Sequence, residues 1–338
     1  MADGTDVHSS NGNIQNTDCL HGYNCIKSQI FRNFAHVNEK KSPWGYINAI
    51  VSAATFGTIP LFSIPVLAAG MLLPSVLVYR FAFGCLFMLA IMVWQKQNLH
   101  IRWAEGLEFA LLSLMYSTSA ICLFQGYNYM PSGIATTLLF SYPIWTAIIL
   151  VVFFHEKLTL RTAVAIALAF GGVFMLSGIA EAGSINSLIG VGLELFSGFS
   201  YSVYVVTFPK LRIRKLPALK VNFYIFFMAM IQLALYSAFT TGGIAPIPDL
   251  KSLLSLILLG LVPTTISNVT LVKAMTLTDS TTVAILGAFE PLTAMVIGIC
   301  VMGEPLTLSV LIGFVLIIAA VLTLIMKSSP KSLTEKEV

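Results

Sequence analysis

The sequence predicts an all-α polytopic membrane protein: ten transmembrane helices arranged as two inverted repeats of five. Three observations lead there. Of 338 residues, 57 % are hydrophobic and only 10 % are Asp, Glu, Lys or Arg, against about 25 % charged in an average soluble chain. Between the two tails the charges stand in short clusters separated by apolar runs of about 20 residues, the length that crosses a hydrocarbon core. Finally, residues 132–160 and 280–308 repeat one another without gaps at an offset of 148. Soluble-enzyme folds are excluded, and a net charge of +4 is too mild to point to nucleic acid.

The elements follow in order. Residues 1–43 are polar, read as a disordered cytoplasmic tail, and lack the apolar core of a signal peptide. Cys19, His21 and Cys25 in that tail have metal-ligand character, but no second ligand pair follows at finger-like spacing. The spans then cover about 44–66, 75–94, 105–126, 132–154, 159–178, 186–208, 220–241, 250–273, 279–302 and 306–326, grouped as repeats over 44–178 and 186–326. None shows the period-2 alternation of a barrel strand. Pro43, Pro74, Pro131 and Pro305 open four of them, in the first turn where a missing N–H costs little. Residues 327–338 form a second cytoplasmic tail.

Lys and Arg set the orientation, because they are retained on the cytoplasmic side. With the N-terminus inside, 17 of the 19 basic residues fall in the cytoplasmic set, Lys251 alone lies outside and Arg80 lies within a span. Both termini are then cytoplasmic, in a multi-pass protein of the cell membrane.

Four matched pairs carry the repeat: Ser132/Ser280, Pro143/Pro291, Glu156/Glu304 and Thr159/Thr307. A fainter echo at an offset of 145 joins Gly45, Ser52, Thr55 and Phe56 to Gly190, Ser197, Ser200 and Tyr201. Five spans per half is an odd number, so the second half enters the membrane the other way round. Inverted repeats place solute near the midplane between the halves.

These residues also carry a resemblance. Tyr79-Arg80-Phe81 in the second span, Tyr142-Pro143 followed by Glu156-Lys157-Leu158-Thr159, and Phe289-Glu290-Pro291 followed by Gly303-Glu304-Pro305-Leu306-Thr307 resemble the EamA units of the drug/metabolite transporter superfamily. The resemblance implies two EamA units, a central cavity lined by spans 1–4 and 6–9, and peripheral fifth and tenth spans. It departs from the pattern at Tyr142, where the second repeat has Glu290, and at His155, where glycine is more usual. The cavity is therefore chemically asymmetric.

The candidate solute-binding residues are Arg80, Glu290, Tyr142, Lys273, Gln125 and Tyr201. A charge near the bilayer centre costs about 2.5–3.5 kcal/mol on insertion scales, so Arg80 should face protein or water: a cation for a carboxylate on the solute, or a structural partner of carbonyls or of Glu290. Glu290 stands before a proline that kinks its helix; it binds a solute amine, carries a coupling proton, or pairs with Arg80 or Lys273. Tyr142 mirrors Glu290. Lys273 and its repeat mate Gln125 sit at span ends, where snorkelling is the plainer reading for the lysine. Glu194, two turns into the sixth span, is a weaker candidate at the external mouth. Pro143, Pro291, Glu156 and Glu304 are read as structural, the two glutamates as hairpin caps beside helix N-termini. Tyr79, Tyr116, Ser119, Tyr127, Ser141, Asn222, Thr264 and Asn268 are the further polar residues that fill in the expected cavity. Trp44, Trp94 and Trp103 near span ends fit an interfacial belt.

The function expected is secondary transport, with export the expected direction, of small metabolites such as amino acids by alternating access. The alternatives are exchange of phosphorylated or nucleotide-linked sugars, or passive facilitation. No phosphate-binding GxxxxGK[ST] loop is present, and all five histidines lie in tails or loops, so neither nucleotide-driven pumping nor catalysis is expected, and no cofactor. The partners expected are the solute, the lipid bilayer, a coupling proton and a second copy through the peripheral helices.

Overall fold

The structure, a computed structural model, describes residues 42–154, 160–176, 185–277, 283, 286, 287 and 289–325. Every regular element among them is helical: α1 Pro43–Phe56, α2 Ile59–Ala68, α3 Leu73–Trp94, α4 Trp103–Gly126, α5 Ser132–Leu139, α6 Tyr142–Phe154, α7 Leu160–Leu176, α8 Ile185–Thr207, α9 Ala218–Thr241, α10 Leu250–Leu259, α11 Ser267–Leu277, α12 Phe289–Cys300 and α13 Leu308–Ile325. Among the described residues seven rods are long and apolar enough to cross a membrane unaided, including Pro43–Ala68 and Leu250–Ala274, each made of two helices. Ala163–Val173, Phe289–Cys300 and Leu308–Thr323 are shorter apolar helices. The chain is thus a polytopic helical membrane protein. Trp44, Trp94 and Trp103 are exposed at helix ends, as a belt requires.

Packing is paired between the halves. Among the described residues, the main contacts between α1–α7 and α8–α13 come in matched sets. The rod α1/α2 packs on α10/α11 as α8 packs on α4; α12 packs on α1/α2 as α5/α6 packs on α8; α3 with α9, α5 with α12 and α7 with α13 are each other's counterparts. The match reaches single atoms. Ser52 Oγ donates to Ser267 O at 2.8 Å and Ser267 Oγ to Ser52 O at 3.0 Å. Ser197 Oγ donates to Ser119 O at 2.7 Å, and the Ser119 and Ser197 hydroxyls lie 3.0 Å apart. The faint repeat at offset 145 and the strong one at 148 thus meet in one pair of contacts. The α7–α13 seam is tight: a Cβ on Gly172 would stand 2.6 Å from Ile317 Cγ1 and 2.9 Å from Gly313 O, the close approach small residues permit.

At the repeated prolines the expected kinks are breaks. α5 stops at Leu139 and α6 restarts at Tyr142, with Pro143 in its first turn; α12 begins at Phe289, with Pro291 likewise in its first turn. Proline lacks the donor that would tie its turn to the one before, yet it is well suited to open a helix. Glu290 and Tyr142 are therefore first-turn residues of half-helices that start inside the protein. Two breaks have no counterpart: the one between α1 and α2, where α8 is continuous, and Gly260–Ile266, a π-helical turn containing Pro263, where the mate in α4 is continuous. Such wide turns recur at functional sites.

The hairpin-cap expectation needs correction for Glu304. Its own helix, α13, is capped by Thr307, whose hydroxyl accepts from Val310 N at 3.3 Å. The Glu304 carboxylate instead crosses to the other half and caps α5, accepting from Ser132 N and Ser132 Oγ at 2.6 Å each and from Gly133 N at 3.1 Å. Gly298 makes the room, since a Cβ there would stand 2.1 Å from Glu304 Oε2, and Gly303 turns the chain at φ +70°. A carboxylate suits four unpaired N–H groups and the positive end of a helix dipole. Ser132, one of the residues matched in the repeat, receives this clamp. Glu156, Ser280, Cys19, His21 and Cys25 lie outside the described residues.

Candidate functional site: a buried Arg–Glu–tyrosine centre

Consecutive residues on α3 point to three different surroundings because each is turned by about 100° from the last. The Tyr79 hydroxyl donates to Ala245 O at 3.2 Å and holds the loop after α9. Phe81 is fully buried against Phe226 and Tyr116, with ring centroids 5.4 and 5.9 Å away. Arg80, between them, is 2 % exposed. Its Nε donates to Thr264 Oγ1 at 3.2 Å, and its guanidinium lies 5.4 Å from the Phe81 ring and 5.7 Å from that of Phe124. The π turn places Thr264 there: the Thr264 hydroxyl donates to Leu259 O, five residues back, and so can accept from the arginine. A Cβ on Gly84 would stand 2.7 Å from Thr264 Cγ2, so glycine is what lets the turn approach α3. Among the described residues only Nε is hydrogen-bonded, which leaves the two terminal nitrogens for a ligand.

Beside the arginine stands a chain of rings. Tyr142 meets Tyr201 edge-on at 4.8 Å, Tyr201 stacks on Tyr204 at 5.5 Å, and Tyr116 touches both, at 6.1 and 5.8 Å. The half-buried Glu290 lies within electrostatic reach of Tyr116, Tyr127, Tyr142 and Tyr201. Its side chain has no hydrogen-bond or ion-pair partner among the described residues, and no ion pair joins it to Arg80. Tyr127 is in reach of Arg80, Glu290 and also Glu194. One cation and one carboxylate thus face a common aromatic surround, each with bonding capacity to spare, which can hold the two ends of a zwitterion.

Of the residues expected to bind solute, Arg80, Glu290, Tyr142 and Tyr201 come together here. Lys273 does not: its side chain is exposed near the end of α11. Gln125 sits at the end of α4 and accepts from Asn128 Nδ2 at 3.3 Å in the following turn. Tyr204 was not singled out by the sequence, although it lies three residues beyond Tyr201 and so on the same helix face. The promotion of Thr264 from one polar residue among many required the π turn, which no periodicity announces. A separate groove of about 280 Å³, lined by Ile149, Phe153, Phe199, Val203, Val206, Thr207 and Lys210, is mostly apolar and shares no residue with this centre.

The profile of the EamA-like transporter family matches residues 43–178 and again 188–326. The uncharacterized transporter sll1319 of Synechocystis sp. is 31 % identical over 113 residues, 33 % of each chain. The match thus spans about a third of that curated relative's length. A solved crystal structure of a protein that is 16 % identical superposes with a TM-score of 0.59 over 84 % of this chain and 97 % of its own, a likeness of fold.

Proposed function

The chain belongs to the EamA-like transporter family, and from that premise we propose that it is a secondary transporter of small zwitterionic metabolites, amino acids or amphipathic relatives of them. The observation that carries the substrate class is that Arg80 and Glu290, with no ion pair between them, both act on Tyr116 and Tyr127. The solute carboxylate takes the guanidinium nitrogens left by Thr264, its ammonium takes Glu290, and its side chain lies on the rings. A phosphorylated sugar fits less well, because its excess negative charge would face Glu290 with one guanidinium to balance it.

Movement is alternating access between inverted halves, and export is the direction we assign. The mirrored contacts of α1/α2 with α10/α11 and of α8 with α4 support the inversion, and the half-helices α6 and α12, starting inside the protein, are the discontinuous elements such carriers use. Lys and Arg placement supports cytoplasmic termini in the cell membrane.

A thermal-shift panel of amino acids, nucleosides, sugar phosphates and organic cations on the detergent-purified protein tests this. A ligand at 100 times its dissociation constant stabilises by about 2.7 kcal/mol. Amino acids are expected to shift the wild type but neither Arg80→Ala nor Glu290→Gln. A shift by sugar phosphates that survives Glu290→Gln would overturn the zwitterion assignment.

A further inference from the structure

We propose that Glu194 is a proton-binding site whose occupancy closes the seam between α4 and α8, so that one of the two mirrored seams of the protein is gated by a proton and the other is not. Coupling of that proton to solute rests on the transporter reading; the protonation of Glu194 stands without it.

Glu194 is completely buried, and neither carboxyl oxygen has a hydrogen-bond partner among the described residues. It is pressed against Gly126: a Cβ there would stand 1.9 Å from Oε1 and 2.8 Å from Cδ. The Tyr127 hydroxyl, also buried, lies in electrostatic reach of it and beside the Thr136 hydroxyl. A carboxylate enclosed without a cation or donors is among the costliest groups a protein can bury, whereas a neutral carboxylic acid is a polar group of ordinary cost. The closed seam therefore fits the acid and rejects the anion.

Among the described residues, no cation pairs with Glu194. From α4 and the turn beyond it come Cys122 and Tyr127, both in electrostatic reach, and Tyr129, which packs on Gly190 one turn away. Among the described residues, α5 offers Thr136 but no titratable group, while α6 offers Tyr142, and α8 itself carries Tyr201 and Tyr204. Lys210 stands beyond the far end of α8. Arg80 acts on Tyr127, as does Glu290. Among the described groups that act on Tyr127, two carboxyls thus stand against one guanidinium, and one proton is the balance. Tyr127, in reach of all three, links the seam to the solute centre.

The mirror seam is an internal control. At the repeat's offsets of 145 and 148, Glu194 corresponds to Ala49 and Gly126 to Ala274, and Ala49, Ala274 and Val283 form a small apolar cluster. The same backbone frame, with the same serine contact one turn away, closes there without a charge. Nothing in the architecture requires a carboxyl at this place. Opening of the α4–α8 seam to water would let Glu194 ionise, and its reclosure would need the proton back: carboxylate plus proton gives the neutral acid, with nothing else exchanged.

Cys122, 8 % exposed in the same seam, reports its opening without any solute. The experiment is alkylation of full-length protein in proteoliposomes by a membrane-permeant maleimide across pH, read at Cys122 by peptide mass spectrometry. In the wild type the rate relative to Glu194→Gln is expected to be near one in acid. It should exceed about tenfold when pH is raised, each pH unit changing the ionised-to-neutral ratio tenfold. The double variant Glu194→Ala/Gly126→Ala, which copies the mirror seam, should remain slow throughout and serves if the glutamine variant fails to fold. Identical pH profiles for wild type and variants would overturn the proton site. With an amino acid that the wild type transports, acceleration by a pH gradient should be lost in Glu194→Gln; its persistence would overturn the coupling. If the wild type moves no amino acid, the zwitterion reading falls while the alkylation result keeps its meaning.

Discussion

The seam of α1 with α11 and the seam of α8 with α4 are one piece of architecture used twice. Each is joined by a buried serine contact, Ser52 with Ser267 and Ser197 with Ser119. One turn away they diverge, to Ala49 with Ala274 in the first and to Glu194 with Gly126 in the second. A second divergence follows at the helix breaks. Gly57 is crowded against the Glu290 carbonyl, 2.4 Å from where a Cβ would stand, whereas Ser202, its mate, donates its hydroxyl to Tyr142 O at 2.6 Å. Duplication supplies the frame, and unequal substitution on it places both interior carboxyls, Glu194 and Glu290, in the second half. A symmetric frame thus carries asymmetric chemistry.

Three sets of substitutions break or sharpen that comparison. The largest effect is expected from Glu304→Ala, which leaves two backbone donors and a hydroxyl at the start of α5 without their carboxylate. Hydrogen bonds to a charged group are worth about 1.5–3 kcal/mol, so thermal unfolding should show a loss of about 3 kcal/mol, with Glu304→Gln retaining part of it. Next, Gly126→Ala should cost about 1–3 kcal/mol as an overpacked site but close to nothing on a Glu194→Ala background, because the pair then matches Ala49 with Ala274. Equal costs on both backgrounds would show that Glu194 does not fill that space. The smallest effects belong to the serines. Ser52→Ala and Ser197→Ala should each cost about 0.6 kcal/mol, the average for polar contacts between membrane helices, and should agree with each other in urea or thermal unfolding; a clear inequality would mean the seams differ in frame as well as in chemistry.

Much of the architecture was legible because it rests on local, additive signals. Apolar runs fix which segments leave water, and prolines at Pro43, Pro74 and Pro131 mark where helices start. The repeated Ser132 and Glu304 were visible as a pattern. What joins them was not, since the carboxylate caps a helix 172 residues away in sequence and its own helix uses Thr307. The breaks at Tyr142 and Glu290 were read as kinks, because a proline inside an apolar run does not say whether the backbone bends or stops.

For the site, Arg80, Glu290, Tyr142 and Tyr201 were named from sequence by one argument: a polar group in a hydrocarbon span needs a reason. That argument treats every such residue alike, and so it also named Lys273 and Gln125, which end at the rim of the helices. Sequence by itself determined the helical class, the twofold repetition and the short list of interior polar groups, because burial in a bilayer constrains composition residue by residue. Tertiary structure alone decided which of those groups meet, that a π turn brings Thr264 to Arg80, and that Glu194 is enclosed without a partner among the described residues. Those facts depend on distances between segments far apart in the chain, and a side chain's neighbours are set by packing, not by its place in a run.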